Sequence, residues 1–514
     1  MRIGFASIFA FRPHVEHLYY LSRLVQAAGH EVRMLACDAQ LPYCYPRALK
    51  DATAALECPK CIAGGLRSYA PRVASLPACR GAVGDPAREW ADSSTCTVLR
   101  TESAEDRCTA EFIGLRERLA AGAQRAFDSA RRWIAAQRLD AVACFNGRMD
   151  ATRALCEAAR ASGIPFLTVE RTWFGDGLQF AVNDNVLDLS QLDRLNAEYR
   201  DAPLTQAQAR RIAHHLAARL LRRNDKEWRA YNRNAQAAAW PAAAGSGPRV
   251  LIAPGSRNEV EGHPHWAHGW TQLADGLDAV LDAVGAAAGS AVLRCHPNWA
   301  ERIGRRTGAP SERYYGEWAR RRGAHLIGSA ATASTFDLIA QADLVIVTGG
   351  TAAFEASCLG KPVISLTPST YRTAAIAAHV TSPAELPLAR AALAPDAQRV
   401  RRGLRYGYTH TYRFSQYVDF VRAVTTTRYR YFDGADPRRL ERMLRTGRVE
   451  ADDPTLAAGV AGEDEVLALV EARQWQQLID LPQPARERTA MRIGRRAGLR
   501  WIDSLRERFP TGDR

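Results

Sequence analysis

Twice along its 514 residues this chain alternates short, wholly apolar runs with segments of helical period, and that double alternation is the tightest constraint on its fold. An apolar run of strand length between helices has no polar face to show to water. It therefore reads as a strand of a parallel sheet covered on both sides. The first series predicts strands at 2–9, 31–36, 140–145 and 165–169, with helices at 14–28, 112–136 and 150–161. The second predicts strands at 249–253, 291–295, 324–327, 343–348 and 363–366, with helices near 273–288, 315–322, 336–340 and 352–359. Between them an Arg-rich helical stretch, 214–239, runs into Pro241-Ala-Ala-Ala-Gly-Ser-Gly-Pro248, whose composition is that of a linker. A chain of this length is also too long for one ordinary core.

The expected fold class is therefore α/β, with two Rossmann-like domains facing a cleft. The first spans 1–240 and carries a Gly/Pro/Cys-rich insertion at 40–103; the second spans 249–386. A helical, aromatic and basic tail, 387–514, is expected to pack back on the first domain. Open parallel sheets bind ligands beyond the carboxyl ends of their strands, so the loops after the strands are where chemistry should sit.

Net charge is +14, carried almost wholly by arginine, because lysine occurs only at Lys50, Lys60, Lys226 and Lys361. That surplus favours anionic partners: nucleotides, phospholipid head groups or nucleic acid. No apolar run approaches the ~20 residues of a membrane span. The apolar start MRIGFASIFAF is too short for a signal peptide and reads as a first strand, which predicts a cytoplasmic protein. Seven of the eleven cysteines lie between Cys37 and Cys108. Cys58-Pro-Lys-Cys61 has a metal-ligand spacing, and Cys44 and Cys79 offer two further thiolates. One CxxC without a second clear pair leaves reduced thiols as the favoured reading and the metal question open.

The densest motif is Ala342-Asp-Leu-Val-Ile-Val-Thr-Gly-Gly-Thr-Ala-Ala-Phe-Glu-Ala-Ser-Cys-Leu-Gly-Lys-Pro-Val-Ile364. A buried strand ends in Gly349-Gly350, Thr351 is placed to cap the next helix, and Glu355 lies one turn inside. Such a turn lets a phosphate approach the backbone, and the glutamate can accept from ribose hydroxyls. The plainer reading is a capped helix whose early carboxylate complements its dipole. Upstream lies Val292-Leu-Arg-Cys-His-Pro297, with His296 at a strand end, and Ser334-Thr335 follows a later strand. Ser256 and Arg257 follow the first strand of the second domain, where an arginine can clamp phosphate in place of a metal. In the first domain Phe145-Asn-Gly-Arg148 and Val169-Glu-Arg171 both end strands. Glu170 there can serve as a base, with a salt bridge to Arg148 or Arg171 as the structural alternative. Glu259 is a second, weaker catalytic candidate, and Asn146, Arg148 and Arg171 are candidate acceptor ligands. His263, His265 and His268 invite a metal reading, yet no Asp-x-Asp pair stands near a strand end, and metal-independent chemistry is expected.

These motifs resemble the GT-B glycosyltransferases of capsular and surface polysaccharide synthesis, the Kdo transferases among them. The Arg294-Cys-His-Pro297 and Gly349-Gly-Thr…Glu355…Gly-Lys-Pro362 elements are similar to that family's nucleotide-binding half. The Asn146-Gly-Arg148 and Glu170-Arg171 elements resemble signatures of related surface-carbohydrate enzymes. The resemblance covers roughly 140–366, and the segment Ala253-Pro-Gly-Ser-Arg-Asn-Glu-Val-Glu261 departs from the acidic motif of a typical Kdo transferase. It implies transfer from a nucleotide-activated sugar, CMP-Kdo or a UDP- or GDP-hexose, to a lipid-linked bacterial polysaccharide at the inner membrane's inner face. Donor contacts would come from Ser256, Arg257, Arg294, His296, Ser334, Thr335, Gly350, Thr351 and Glu355, with no further cofactor. Two alternatives stand beside it: a sugar-nucleotide 2-epimerase of the same fold, and a non-enzymatic basic adaptor at a membrane or nucleic acid. No nucleic-acid motif supports the last.

Overall fold

The computed structural model describes residues 1–79, 81–227, 234–242, 247–287, 289–453, 457, 459–483 and 488–508. The first alternating series forms a six-stranded sheet from β1 (Arg2–Ser7), β2 (Glu31–Ala36), β3 (Ala74–Ser75), β4 (Ala141–Phe145), β5 (Phe166–Arg171) and β6 (Leu178–Val182). Its order is β3-β2-β1-β4-β5-β6, parallel throughout except that β6 runs antiparallel to β5. The second series forms β7 (Val250–Ala253), β8 (Ala291–Arg294), β9 (His325–Ile327), β10 (Leu344–Val347), β11 (Val363–Ser365) and β12 (Ala378–His379). That sheet is wholly parallel, in the order β12-β11-β10-β7-β8-β9.

Counted from its own first strand, each sheet has the Rossmann order 3-2-1-4-5-6, with its switch point between β1 and β4 or between β7 and β10. The second sheet shows why its strands lack polar alternation. Val250, Ile252, Leu344 and Ile346 enter one core, while Leu251, Val345 and Val347 enter another on the opposite face. Helices on both faces need apolar residues at every position, which is what the sequence supplies.

The helices that place the site are α1 (His14–Ala27), α2 (Tyr45–Lys50), α3 (Ala54–Gly64), α4 (Asp85–Leu99), α5 (Ala110–Gln137), α6 (Asp150–Ala161), α7 (Ser190–Tyr199) and α8 (Gln206–Leu220) in the first half. In the second they are α9 (Leu273–Ala283), α10 (Ala309–Arg322), α11 (Thr335–Gln341) and α12 (Ala352–Cys358). The insertion at 40–103 is built into the first domain: β3 pairs with β2, and α4 shares the core with α5 and α6. The helix expected through residue 239 ends at Leu220, and Leu204, Ile212 and Leu216 of the α8 region join the core of the second sheet. The boundary placed at 240 on composition therefore does not follow the packing. Residues 228–233, and 243–246 of the expected linker, lie outside the described residues.

The tail returns across both domains. It holds helices and a three-stranded antiparallel sheet of Val421–Thr425, Arg428–Phe432 and Ala490–Met491. Phe414, Tyr417, Val421 and Tyr431 join the first core. Among the described residues no helix is long and apolar enough to cross a membrane.

Polar contacts fix the two domains face to face. Asp193 takes the Arg372 guanidinium at 2.5 Å, Glu102 accepts from Ser311 at 2.7 Å, and Asn196 donates to the Thr370 carbonyl at 2.9 Å. His263 and His265, the residues that invited a metal reading, face Asp184 at 3.4 Å and Asp188 at 3.1 Å across the same seam.

Candidate active site

Two adjoining cavities open along the cleft, one of about 310 Å³ and one of about 140 Å³, and Trp173 lines both. Strand-end loops of the first sheet supply most of the larger cavity. After β4 the chain turns through Asn146 at φ 62° and Gly147 at φ 75°. That left-handed pair reverses the backbone inside one residue of the strand, and it suits Asn and Gly because neither pays the full Cβ penalty there. A Cβ on Gly147 would lie 2.4 Å from the Thr168 methyl. The turn lets Asn146 Oδ1 accept from the Arg148 backbone N–H at 3.1 Å while its Nδ2 donates to Glu170 Oε2 at 2.8 Å. Glu170 Oε1 accepts from the Arg171 N–H at 3.0 Å and stands 3.2 Å from His14 Nε2, at the start of α1. Burial raises the Glu170 pKa above its ordinary value, against the opposing pull of Arg171 and the Asn146 hydrogen bond. Burial also holds His14 well below its ordinary value, so it faces Glu170 as a neutral imidazole.

From the second domain Glu259 enters the same cavity and accepts from Asn298 Nδ2 at 3.1 Å. The two carboxylates singled out from sequence thus line one chamber from opposite sides of the cleft. Arg148, which donates to Ser93 at 2.7 Å and Thr97 at 3.2 Å, lines it too, as does Arg171. Sequence reasoning missed Arg100. It is 1% exposed, ends α4 in a left-handed cap, and donates to the Asn298 carbonyl across the seam at 3.3 Å. The only signal was a lone arginine after a helix of small polar residues.

The smaller cavity sits at the carboxyl ends of β7, β8 and β10, and Arg294, His296, Thr335, Gly350, Thr351 and Glu355 all line it. Gly349, at φ 89°, turns the chain after β10 with the Thr367 hydroxyl 3.1 Å from where a Cβ would stand. Thr351 occupies the cap position of α12 without a side-chain capping bond and is exposed, so the expected cap is not made. Glu355 is fully buried. Its Oε1 accepts from Arg219 of α8 at 2.8 Å and 2.5 Å, and Arg219 also pairs with Glu227. Glu355 Oε2 is buried with no hydrogen-bond partner. Burial raises the pKa of this carboxyl, and Arg219 works against that rise. A buried carboxylate oxygen without a donor costs about 1–3 kcal/mol, which a bound hydroxyl would recover.

His296 accepts the Asn298 backbone N–H on Nδ1 at 3.2 Å. Burial lowers its pKa to about 4, so the ring is neutral at pH 7 and carries its proton on Nε2. Arg294 is 4% exposed and donates to the carbonyls of Cys295, Gly328 and Ala331 at 2.7–2.9 Å, which locks the loops around His296. Ser334 is buried and caps α11, accepting from Asp337 N at 3.2 Å. It lines neither cavity, and two more expected donor ligands also lie apart from both. Ser256 accepts from Trp299 Nε1 at 2.8 Å inside the fold, and Arg257 pairs with Glu261 at 2.9 Å beside a separate cavity of about 440 Å³. Their glycine-preceded turn closes on Trp299 rather than on the cleft.

No family model matches the chain, and no curated protein matches it in sequence. Solved structures do resemble it. One is the KpsC β-Kdo 2,4 transferase of Thermosulfurimonas dismutans, with 16% identity over 61% of this chain and 84% of that one and a TM-score of 0.36. Another is the UDP-GlcNAc 2-epimerase of Methanocaldococcus jannaschii in complex with UDP-GlcNAc and UDP, with 11% identity over 79% and 98% and a TM-score of 0.30. A third is the glycosyltransferase SsfS6 of Streptomyces sp. SF2575 complexed with thymidine diphosphate, with 14% identity over 80% and 95% and a TM-score of 0.22. At this overlap neither donor nor acceptor follows from likeness, and the two-domain architecture rests on the sheet orders and the cleft described above.

Proposed function

We propose that the cleft transfers a sugar from a nucleotide-activated donor, held by the second domain, to an acceptor hydroxyl held by the first. The observation that carries this reading is Glu355 Oε2, a buried acceptor without a donor in a cavity lined by His296, Gly350 and Thr351. A ribose hydroxyl satisfies that oxygen, and the Nε2–H of neutral His296 donates to a phosphate oxygen. In the adjoining chamber Glu170 is the base. It takes the proton as the acceptor oxygen attacks the anomeric carbon and the bond to the nucleotide phosphate breaks. Its raised pKa moves it toward the working pH, where a base is most effective. Glu259 faces the same space and positions the acceptor or the sugar. Arg100, Arg148 and Arg171 give the chamber the charge to receive an acidic sugar or a phosphate-bearing acceptor.

The resemblance of residues 292–297 to capsular-polysaccharide transferases makes CMP-Kdo the first donor to try, followed by UDP- and GDP-hexoses. The net charge of +14 supports an acceptor presented at an anionic membrane surface. A thermal-shift titration with CMP, UDP, GDP and ADP tests the reading, because a ligand bound only by the folded chain raises Tm by mass action. A shift with one nucleotide that is lost in His296→Ala and Glu355→Gln is expected. No shift with any of them, from a folded sample, overturns the assignment.

A further inference from the structure

Two helices on the surface of the first domain are turned the wrong way round for a protein in water. A surface helix ordinarily sets its apolar side on the core and its charged side in solvent. In α3 the acid is what faces in. Glu57 is buried and accepts from Lys50 Nζ at 2.8 Å, while Leu56 is 63% exposed, with Pro59, Lys60 and Ile62 exposed along the same helix. The helix Trp501–Arg508 repeats the inversion. Asp503 turns to the domain, where it pairs with Arg12 and with Arg495 Nε at 2.7 Å. Trp501, 61% exposed, and Leu505, one turn further along the opposite side, are left to the outside.

The two helices adjoin. Buried Arg495 donates to the Ala63 carbonyl of α3 at 2.5 Å, and the Arg496 N–H donates to the Ser68 carbonyl at 2.8 Å. The charge that accompanies their apolar side chains is nearly all of one sign. Residues 488–508 hold seven arginines against Asp503 and Glu507. Arg492, Arg496 and Arg500 are exposed, as is Lys60. Exposed indole and aliphatic groups among cationic ones match the two layers of an anionic membrane surface, acyl boundary and phosphate. A second copy of the chain fits this face poorly, because it brings the same arginines to the contact. Nucleic acid would answer the arginines and leave Leu56, Ile62 and Leu505 without a partner.

We propose that α3 and the helix Trp501–Arg508 form the face by which this chain docks on an anionic bilayer. Trp501, Leu505, Leu56 and Ile62 enter the head-group boundary, and Lys60, Arg492, Arg496 and Arg500 meet lipid phosphates. Arg12 gives the docking a consequence for the cleft, because it lines the larger cavity and its guanidinium pairs with Asp503. The docked helix is thus one ion pair from the chamber wall. This last step alone rests on the transfer reaction proposed above: a lipid-linked acceptor enters the chamber beside Arg12 while its lipid stays in the bilayer.

The test is flotation of the full chain with vesicles of phosphatidylethanolamine containing about one-third phosphatidylglycerol, against vesicles of phosphatidylcholine alone. Binding to the first and not the second is expected, weakening as salt rises. Trp501→Ser with Leu505→Ser, Leu56→Ser with Ile62→Ser, and Arg496→Ala with Arg500→Ala should each weaken it at least about tenfold. Brominated lipid should quench the wild-type fluorescence, and Trp501→Phe should remove most of that quenching, a reading that stands if a double variant fails to fold. No binding to the anionic vesicles overturns the proposal, as does equal binding by all the folded variants, which would leave net charge alone as the cause. A lipid-free dimer that the same substitutions dissolve would give the face to a second copy and overturn it too. Nucleotide binding is read separately by thermal shift, so a chain that shifts with a nucleotide and ignores vesicles keeps the transfer reading and loses only this surface.

Discussion

The two cleft cavities are built on the same strand order, yet they treat their buried charges in opposite ways. In the larger cavity the carboxylate is enclosed by its own domain: Glu170 is met by Asn146, His14 and the Arg171 amide. In the smaller cavity Arg219 satisfies one oxygen of Glu355 and the other is left bare. A fully bonded group is held in position and its proton affinity is tuned. A half-bonded one has its binding energy in reserve for a ligand. The first arrangement suits chemistry and the second suits recognition.

Substitutions at the two glutamates should separate these roles. Glu170→Gln keeps the shape and the Asn146 contact but removes the proposed base. It should lower kcat by about 10²–10⁴ while nucleotide affinity, read by titration calorimetry, stays within a factor of about two. Equal losses of rate and affinity would erase the distinction. Glu355→Gln should do the reverse, weakening nucleotide binding about ten- to hundredfold with a smaller change in kcat at saturation. Trp173 belongs to both chambers and is 47% exposed. Trp173→Ala should raise the KM of donor and acceptor together, each several-fold or about 1 kcal/mol, and nucleotide should alter its fluorescence.

A separate effect concerns pH. Burial raises Asp150, beside the larger cavity, from 3.8 to about 7, and Glu102, at the domain seam, from 4.5 to about 7. Each keeps its proton in the fold at a pH where the unfolded chain has lost it. The stability they allow is complete below pH 4 and declines as pH rises through about 7. Asp150→Asn should flatten the slope of Tm between pH 4 and 7 without reversing it, as scanning calorimetry would show. An unchanged slope would place the linkage elsewhere.

What the sequence made legible follows from the range of each signal. Apolar runs announced β1, β2, β4, β5 and β7 to β11; central strands advertise themselves because both faces are buried, whereas β9 is a partly exposed edge strand. The two-residue strands β3 and β12 fall below any periodic window. The Gly349-Gly350 turn and His296 were readable as strand-end punctuation. Arg219 was not, since its partner Glu355 lies 136 positions away. Helix α4 has no apolar periodicity to betray it, because its buried face is alanine, serine, threonine and cysteine until Val98 and Leu99. Ser256 and Arg257 had the right loop but the wrong direction, a matter settled by where Trp299 packs. The linker composition after Trp240 pointed to a boundary there. Leu204, Ile212 and Leu216 had already committed α8 to the second sheet.

Tyr417 and Val418 are neighbours in the chain, yet the first is packed in the core of one domain and the second in the core of the other. A stitch of this kind makes the two halves mechanically inseparable. Cutting the connection between α8 and β7 with a protease would leave a nicked molecule that still sediments as one particle. Heating should melt both lobes in a single transition, because neither can shed its half of the stitch alone. The chain also passes between the two cores at 195–204, 412–414 and 418–421, so the lobes are sewn together at several points rather than hung on one peptide.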